Sequence, residues 1–333
     1  MPSSSPSQGR GLWWLLQLTA SIVVLVLFVR AVEPQQLRAL PGRVDVGLLL
    51  LAFAVKAAAL LLHEVRVWLV LPHPRPPLAK VTRIGLVAGV INLVLPGRAG
   101  DLANIAMLQR RCGVSLGTAT ASMGVVAFIE AAVFGLLLLA GLAVGAAQWQ
   151  ALLGEDAYDQ AMLVVGLATG GGLAVAVAVA VVGRIASSMP SAPASGIKRV
   201  LWEATTQTGA ALASPRNAAR NIAIAAVQVV GMVAAFAIAL PAVGVEVGAP
   251  FLAAAAVLGL SAIAAVVLPP SYGAGPAAAS LAVLSTAGAS EADALAFAGA
   301  YWVLSQLPAL LFGLPSMWSL GFSLSDARKL SQR

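Results

Sequence analysis

Hydrophobic residues form long uninterrupted runs along this chain, and polar residues are concentrated in the short segments between the runs. Most runs extend over about 20 residues, the length that an α-helix needs to cross about 30 Å of hydrocarbon. A membrane β-barrel would instead alternate polar and apolar residues. The pattern therefore predicts an all-α polytopic membrane protein with about six spanning helices. The apolar runs fall at residues 12–29, 46–71, 84–95, 115–144, 161–182, 217–240, 250–268 and 292–320.

Two of these runs, at 84–95 and 250–268, end at helix-breaking residues. The run at 84–95 is too short to cross a bilayer and stops at a Pro-Gly pair. The segment that follows, 98–111, carries four charged residues and is unsuited to a lipid-facing span. Together they predict a re-entrant hairpin at about residues 84–111. A second break rich in proline and glycine predicts a second hairpin at about residues 250–288.

The two halves of the chain share a spaced pattern of small residues. Five positions of the first half recur in the second half at one offset of 175 residues. Such self-similarity indicates an internal duplication, as in transporters built from structural repeats. The matched pairs are Gly113 and Gly288, Ser115 and Ser290, Ala119 and Ala294, Ala121 and Ala296, and Gly124 and Gly299.

Charged residues divide the connecting segments into two classes. Lys and Arg dominate one class, which the positive-inside rule assigns to the cytoplasm together with both termini. The other class is acidic, except that Arg30, Arg38 and Arg43 outnumber the acidic residues of the first external loop. The two classes alternate in this way only if both hairpins return to the side from which they entered. Three spans separate the hairpins, so the duplication is predicted to be an inverted repeat.

This topology predicts one domain with short tails. Residues 12–322 form a single helical membrane domain, and residues 1–11 and 323–333 form cytoplasmic tails. The predicted location is the bacterial cytoplasmic membrane.

Composition supports the membrane assignment. Of 333 residues, 60% are hydrophobic and 10% are charged, and the mean hydropathy is +0.92. These values exclude soluble domains, secreted disulfide scaffolds and disordered proteins. The net charge of +7 is explained by loops beside anionic headgroups, so nucleic acid is not an expected partner. The single cysteine, Cys112, can form neither an intramolecular disulfide nor a cysteine-based metal site.

An ionisable residue in the middle of an apolar helix needs a partner or a polar cavity. Glu130 lies near the middle of the fourth apolar run, and Lys56, His63 and Glu64 recur at spacings of seven and eight on one face of the second run. One interpretation is an ion pair between Lys56 and Glu130. The other is a polar lining for a headgroup path, in which Glu130 exchanges a proton. Arg66, near the cytoplasmic end of the second run, is predicted to snorkel to the interface.

A second candidate site lies at the first break. Arg98 and Asp101 share a face at the start of a short helix, whose N-terminus adds free N–H groups and partial positive charge. Arg98 would bind an anionic lipid headgroup through paired hydrogen bonds, Asp101 would orient it, and Gly97 and Gly100 complete the site. The structural alternative is that Arg98 and Asp101 neutralise each other, or that Asp101 caps the helix.

The second break offers hydroxyl groups beside glycine. Ser271, Tyr272 and Gly273 could hydrogen-bond a headgroup and allow its close approach, although tight turn packing explains them as well.

Two further segments are predicted to serve packing or the membrane interface. Gly166, Gly170, Gly171 and Gly172 are interpreted as close helix contacts. Residues 195–213 are either an interfacial helix or a connecting loop.

The segment from residue 91 to residue 142 carries a recognisable order of motifs. It resembles the membrane domain of lysylphosphatidylglycerol synthases and the wider flippase-like family built on that domain, and the order of motifs holds over nearly the whole chain. The resemblance implies a role in moving or handling lipids such as aminoacylated phospholipids, polyprenol-linked sugars and hopanoids. The residues that carry it are Pro96, Gly97, Arg98, Gly100 and Asp101, the pair Arg110 and Arg111, the Gly-x-Ser step at Gly113 and Ser115, and the inner Glu130.

Two departures from the family pattern limit what can be carried over. Ala131 stands where the family usually has an arginine after its inner glutamate, and Ala279 or a neighbour replaces a glutamate expected after the second glycine loop. Synthase members also have a soluble transferase domain after the membrane part, whereas this sequence ends shortly after its last predicted span. We therefore do not expect lipid aminoacylation by this chain alone.

The sequence favours transport over catalysis. His63 and Glu64 do not begin a zinc motif, because Val67 occupies the place of the second histidine, and no phosphate-binding loop is present. We expect no enzyme activity, metal or cofactor. The leading hypothesis is translocation of a lipid or lipid-linked glycan, with anionic or polyprenyl-linked lipids as partners. The alternative is a non-transporting subunit that binds a lipid intermediate or anchors a lipid or glycan biosynthetic enzyme.

Overall fold

The computed structural model of the chain describes residues 40–94, 99–187, 196–213, 215–267 and 274–321. These residues form a short 3-10 helix, Leu40–Arg43, and eleven α-helices, with no β-strand among them. The α-helices are α1 Val46–Val70, α2 Leu78–Val94, α3 Ala99–Cys112, α4 Leu116–Val144, α5 Ala146–Leu153, α6 Glu155–Ser187, α7 Gly196–Ala213, α8 Pro215–Ala242, α9 Pro250–Val267, α10 Ala274–Thr286 and α11 Glu291–Ser319.

The predicted all-α polytopic membrane fold is confirmed. Among the described residues, α1, α4, α8 and α11 are long and apolar enough to cross a membrane, and α9 and α10 contribute shorter apolar helices. The predicted run at 161–182 lies within the 33-residue helix α6. Large apolar side chains of α6 such as Leu163 and Leu167 are exposed, as expected for a surface that faces lipid. The predicted first span, 12–29, lies outside the described residues.

Contacts divide the chain into two units. The first comprises the described parts of Met1–Ala54, Asn92–Arg98 and Val233–Leu307, and the second those of Val55–Ile91, Ala99–Met232 and Pro308–Arg333.

The first unit is held together by apolar packing and by polar contacts between helix ends. Helices α9 and α10 pack against each other, and the ring of Phe236 stacks on that of Tyr301 with centroids 4.3 Å apart. At the helix ends, Arg43 Nη1 donates to Asp293 Oδ1 at 2.9 Å and Arg43 Nη2 donates to the carbonyl of Gly244 at 2.9 Å. These bonds bring together the 3-10 helix, the loop after α8 and the first turn of α11.

The second unit is built on mutual packing of α4, α6 and α7, with α3 against α4. Glycines allow this close approach: a Cβ at Gly135 of α4 would overlap Thr169 of α6, and a Cβ at Gly183 of α6 would overlap the backbone of Thr205 in α7. The predicted interfacial segment is therefore a helix packed on two others, and the alternative of a connecting loop is wrong.

The close contacts predicted at four glycines of α6 are not found in the described part of the chain, and that prediction is wrong. A Cβ at Gly166, Gly170, Gly171 or Gly172 would meet no atom within 4 Å in the described part of the chain. Their small size is not needed for packing against any described helix, so sequence spacing alone misassigned them.

The first hairpin begins and ends at neighbouring points. Helix α2 begins at Leu78, six residues before the predicted apolar run, because Lys80 and its polar neighbours continue the helix. Lys80 Nζ donates to the carbonyl oxygen of Arg111, the penultimate residue of α3. The start of α2 and the end of α3 therefore meet, as a re-entrant hairpin requires.

Helix limits and caps repeat at the predicted offset. Helices α4 and α11 are both 29 residues long and begin 175 residues apart. Helices α3 and α10 also begin 175 residues apart. Gly113 and Gly288 have φ angles of +70° and +87°, a backbone conformation that favours glycine. Ser115 Oγ and Ser290 Oγ each accept a hydrogen bond at 3.2 Å from the backbone N–H three residues later. Local structure thus supports the internal duplication.

Candidate functional site

A polar cluster is centred on Arg66 of α1, inside the second unit. The Arg66 side chain has no exposed surface. Its guanidinium donates four hydrogen bonds to groups on α4 and α8. They run from Nε to Asn221 Oδ1 at 3.1 Å, from Nη1 to Glu130 Oε2 at 3.1 Å and to Gln228 Oε1 at 2.7 Å, and from Nη2 to the carbonyl of Val126 at 2.8 Å.

Arg66 does not snorkel, and that prediction is wrong. Its guanidinium turns into the packed helices, where fixed acceptors and one carboxylate replace the water it loses. A buried cation requires such compensation, so α4 and α8 are tied to α1 at this point.

Glu130 of α4 is shared by two residues of α1. Arg66 and His63 lie three residues apart and so occupy one face of the helix. His63 Nδ1 lies 3.1 Å from the same Glu130 Oε2 atom that accepts from Arg66. The side chains of Glu130 and His63 are 26% and 28% exposed, whereas that of Arg66 is fully buried. The carboxylate and imidazole therefore form the accessible edge of a cluster whose cation is enclosed.

The charges within this cluster nearly cancel. The guanidinium and the carboxylate neutralise each other, and the imidazole adds a positive charge only when it is protonated. The accessible edge can exchange hydrogen bonds, and at His63 a proton, with a polar group that approaches it.

Glu64 occupies a different environment from its neighbour His63. It is 3% exposed, and its carboxyl group fills the space that a side chain at position 85 would take, which Gly85 leaves open. Glu64 Oε2 has no hydrogen-bond partner in the described part of the chain. Lys56, seven residues before His63 on α1, is half-buried.

The two predicted headgroup-binding breaks are described only in part. Gly100 is buried and Asp101 partly exposed in the first turn of α3. The remaining predicted residues at the breaks lie outside the described residues, namely Gly97, Arg98, Ser271, Tyr272 and Gly273.

Sequence reasoning missed the polar groups of α8. Asn221 and Gln228 lie seven residues apart, two turns along one face of an apolar helix. That spacing was a usable signal, because buried amides in a membrane helix need partners. The Val126 carbonyl carried no such signal, since every residue has one.

Among the described residues, no group of three or more His, Cys, Asp or Glu side chains is placed to hold a metal ion. The cluster is thus an ion pair supported by amides, with histidine at its edge.

Comparison with known proteins identifies the family. The family model described as the lysylphosphatidylglycerol synthase TM region matches residues 14–313, nearly the whole chain. A search of curated proteins finds no match to the chain. The match covers both polar breaks and the Arg66 cluster, in agreement with the resemblance seen in the motifs. The chain therefore belongs to the family of the lysylphosphatidylglycerol synthase transmembrane region.

Proposed function

We propose that the protein moves a lipid or lipid-linked glycan across the bacterial cytoplasmic membrane and makes no covalent change to it. The family is one of membrane proteins with lipid-related functions. The observation that carries the proposal is the accessible His63–Glu130 edge, held by a fully buried arginine between helices that are long and apolar enough to span a membrane.

This arrangement suits a headgroup that must leave water. A polar headgroup crosses hydrocarbon only if protein groups replace its hydrogen bonds with water. Glu130 and His63 supply such groups, and Arg66 keeps Glu130 in place between passages. Arg98, at the break between α2 and α3, is proposed to bind the anionic part of the headgroup, and Asp101 is proposed to orient it.

Translocation can be measured in liposomes containing purified protein and fluorescent lipid. The probes are a phosphatidylglycerol and a polyprenyl phosphate, each labelled so that a membrane-impermeant quencher reports the exposed leaflet. We expect protein-dependent movement of at least one probe. Glu130→Gln and Arg98→Ala should each slow this movement by about tenfold, the effect of losing one charged hydrogen bond.

The matched control is Glu155→Gln, which removes an exposed acidic residue at the start of α6. It should leave the rate within about twofold of the wild-type rate. Absence of movement with both probes, from protein that still binds them, would contradict translocation. That result would favour the non-transporting lipid-binding or anchoring subunit.

A further inference from the structure

A cavity of about 160 Å³ lies at the end of α1 and the start of α8, within the second unit. On the predicted topology, this end of both helices faces the cytoplasm. The volume holds several water molecules or one small headgroup. Its polar lining residues are His73, Arg75, Gln207, Asn217, Arg220 and Asn221, and apolar residues such as Val125 and Ile129 also line it.

The cavity carries positive charge without a counter-charge. Arg75 and Arg220 both line it, and no acidic residue does. Burial, together with the nearby charge of Arg220, lowers the pKa of the Arg75 guanidinium. Arg220 makes no ion pair with any other described residue. Two cations that face one space in this way attract an anion.

Arg75 is held in a defined orientation. Its Nε donates to the carbonyl of Leu71 at 3.0 Å, and its Nη2 donates to the carbonyl of Leu69 at 2.8 Å, so it caps the end of α1. Its guanidinium carbon lies 5.1 Å from the centroid of the Trp68 ring. These contacts leave Nη1 without a partner in the described part of the chain.

Asn221 supplies an unused donor. The residue is 4% exposed, and its Oδ1 accepts from Arg66 Nε at 3.1 Å. Because a guanidinium can only donate, the atom that faces Arg66 must be the oxygen. The amide nitrogen Nδ2 has no hydrogen-bond partner among the described residues, and Asn221 is one of the residues that line the cavity. A buried amide donor requires an acceptor.

We propose that this cavity binds a phosphate group, through Arg75, Arg220 and the Asn221 amide. Phosphate oxygens accept paired hydrogen bonds from arginine, and the N-terminal turns of α8 add partial positive charge. The phosphate can come from a lipid headgroup at the inner leaflet or from a soluble phosphate compound. The role of the cavity as a loading site next to the Arg66 cluster rests on the proposed function. Its binding of phosphate does not depend on that function.

Binding is tested on the purified full-length protein in nonionic detergent by titration calorimetry. The probes are dioctanoyl phosphatidic acid, inorganic phosphate and uncharged dioctanoylglycerol. We expect phosphatidic acid to bind and Arg220→Gln to weaken that binding by about tenfold, the effect of one lost charged hydrogen bond. The matched control is Arg216→Gln, one turn earlier on α8 and exposed, but outside the cavity lining. It should bind within about twofold of wild type.

The probes identify the source of the phosphate. Tight binding of phosphatidic acid with weak binding of inorganic phosphate indicates a lipid headgroup, while equal binding of both indicates a soluble phosphate. Binding of dioctanoylglycerol as tight as that of phosphatidic acid, or wild-type binding by Arg220→Gln, would overturn the phosphate site.

Translocation assays with the same variants separate this proposal from the proposed function. If Arg220→Gln loses phosphate binding but the wild-type protein transports no lipid, the phosphate site stands and translocation is contradicted. If the wild-type protein transports lipid but binds no phosphate, translocation stands and the phosphate site is contradicted.

Discussion

At the scale of single residues, Arg66 joins three helices through one planar group. Its four hydrogen bonds reach α4 and α8, and all three nitrogens of the guanidinium donate. A lysine could not satisfy all of them. Stability therefore depends on this side chain and on the carboxylate of Glu130 together.

Arg66→Met should lower the free energy of unfolding in detergent by about 3–5 kcal/mol, because Glu130 is left partly buried without its cation. Arg66→Met combined with Glu130→Gln should lower it by less than the sum of the two single effects. Denaturant unfolding followed by tryptophan fluorescence measures all three variants. Arg83→Gln, which changes an exposed arginine of α2, is the control and should change little. Additive effects would show that the two residues do not interact.

Gly85 and Glu64 form a second residue-scale pair, in which the absence of a side chain makes room for a carboxyl group. Gly85→Ala should lower the free energy of unfolding by about 1–3 kcal/mol, because the new Cβ overlaps Glu64. Adding Glu64→Ala should recover most of that loss. Gly166→Ala is the control, since its Cβ meets open space, and it should be neutral or slightly stabilising. Unfolding in detergent checks each variant, and equal losses at positions 85 and 166 would contradict this account.

At the scale of elements, α7 docks on the start of α4. Gly117 of α4 leaves room for Glu203 of α7, whose carboxylate accepts from Arg199 Nε at 2.9 Å. Hydrogen bonds from Ser115 and Arg199 hold the pKa of Glu203 below its ordinary value of 4.5. Ser115 also caps α4, so one residue serves both the helix start and the docking of its neighbour.

Glu203 should therefore stabilise the docked helix only while it is ionised. Its pKa is lower in the folded protein, so the contribution is present above the unfolded pKa and is lost as pH falls through the folded pKa. We expect Glu203→Gln to have a lower Tm than wild type at about pH 6, and the difference to shrink as the pH falls below the ordinary pKa of 4.5 and to vanish below the folded pKa. Thermal unfolding across this range measures it. A difference that is constant with pH would show that the charge is irrelevant.

At the scale of the whole molecule, loops predicted to share a side of the membrane contact one another within each unit. In the first unit, Arg43 contacts Asp293, both on predicted external segments. In the second unit, Lys80 contacts Arg111, whose Nη1 donates to the carbonyl of Leu320 at 2.6 Å, and all three are predicted to be cytoplasmic. Within each unit, the loops in contact are therefore those predicted to lie on the same side of the membrane. This agrees with the predicted topology, including re-entry of the first hairpin.

Single-cysteine labelling in cells tests this topology. In a chain with Cys112→Ser, Asp156→Cys should react with an impermeant thiol reagent from outside, whereas Lys198→Cys should react only after the membrane is opened. Both positions are exposed, so accessibility depends on the side of the membrane. Cys112→Ser alone gives the background. The opposite labelling pattern would reverse the topology and place the phosphate cavity outside.

The sequence by itself determined the helical membrane fold, the two breaks, the repeat and the family. Each depends on local properties: the length of an apolar run, a proline or glycine that ends a helix, and the spacing of motifs. The serine caps belong to the same class, because a cap acts within a few residues of its own helix. Each of these features can be recognised without knowledge of any neighbouring helix.

Only the tertiary structure decided how the charged residues are used. Arg66 is indistinguishable in sequence from an arginine that snorkels, because its rotation toward α4 and α8 depends on helices distant along the chain. The same holds for the glycines, where Gly85 is crowded and Gly166 is open. Burial and partner choice are properties of packing, and apolar helices of similar composition leave many packings open to the sequence.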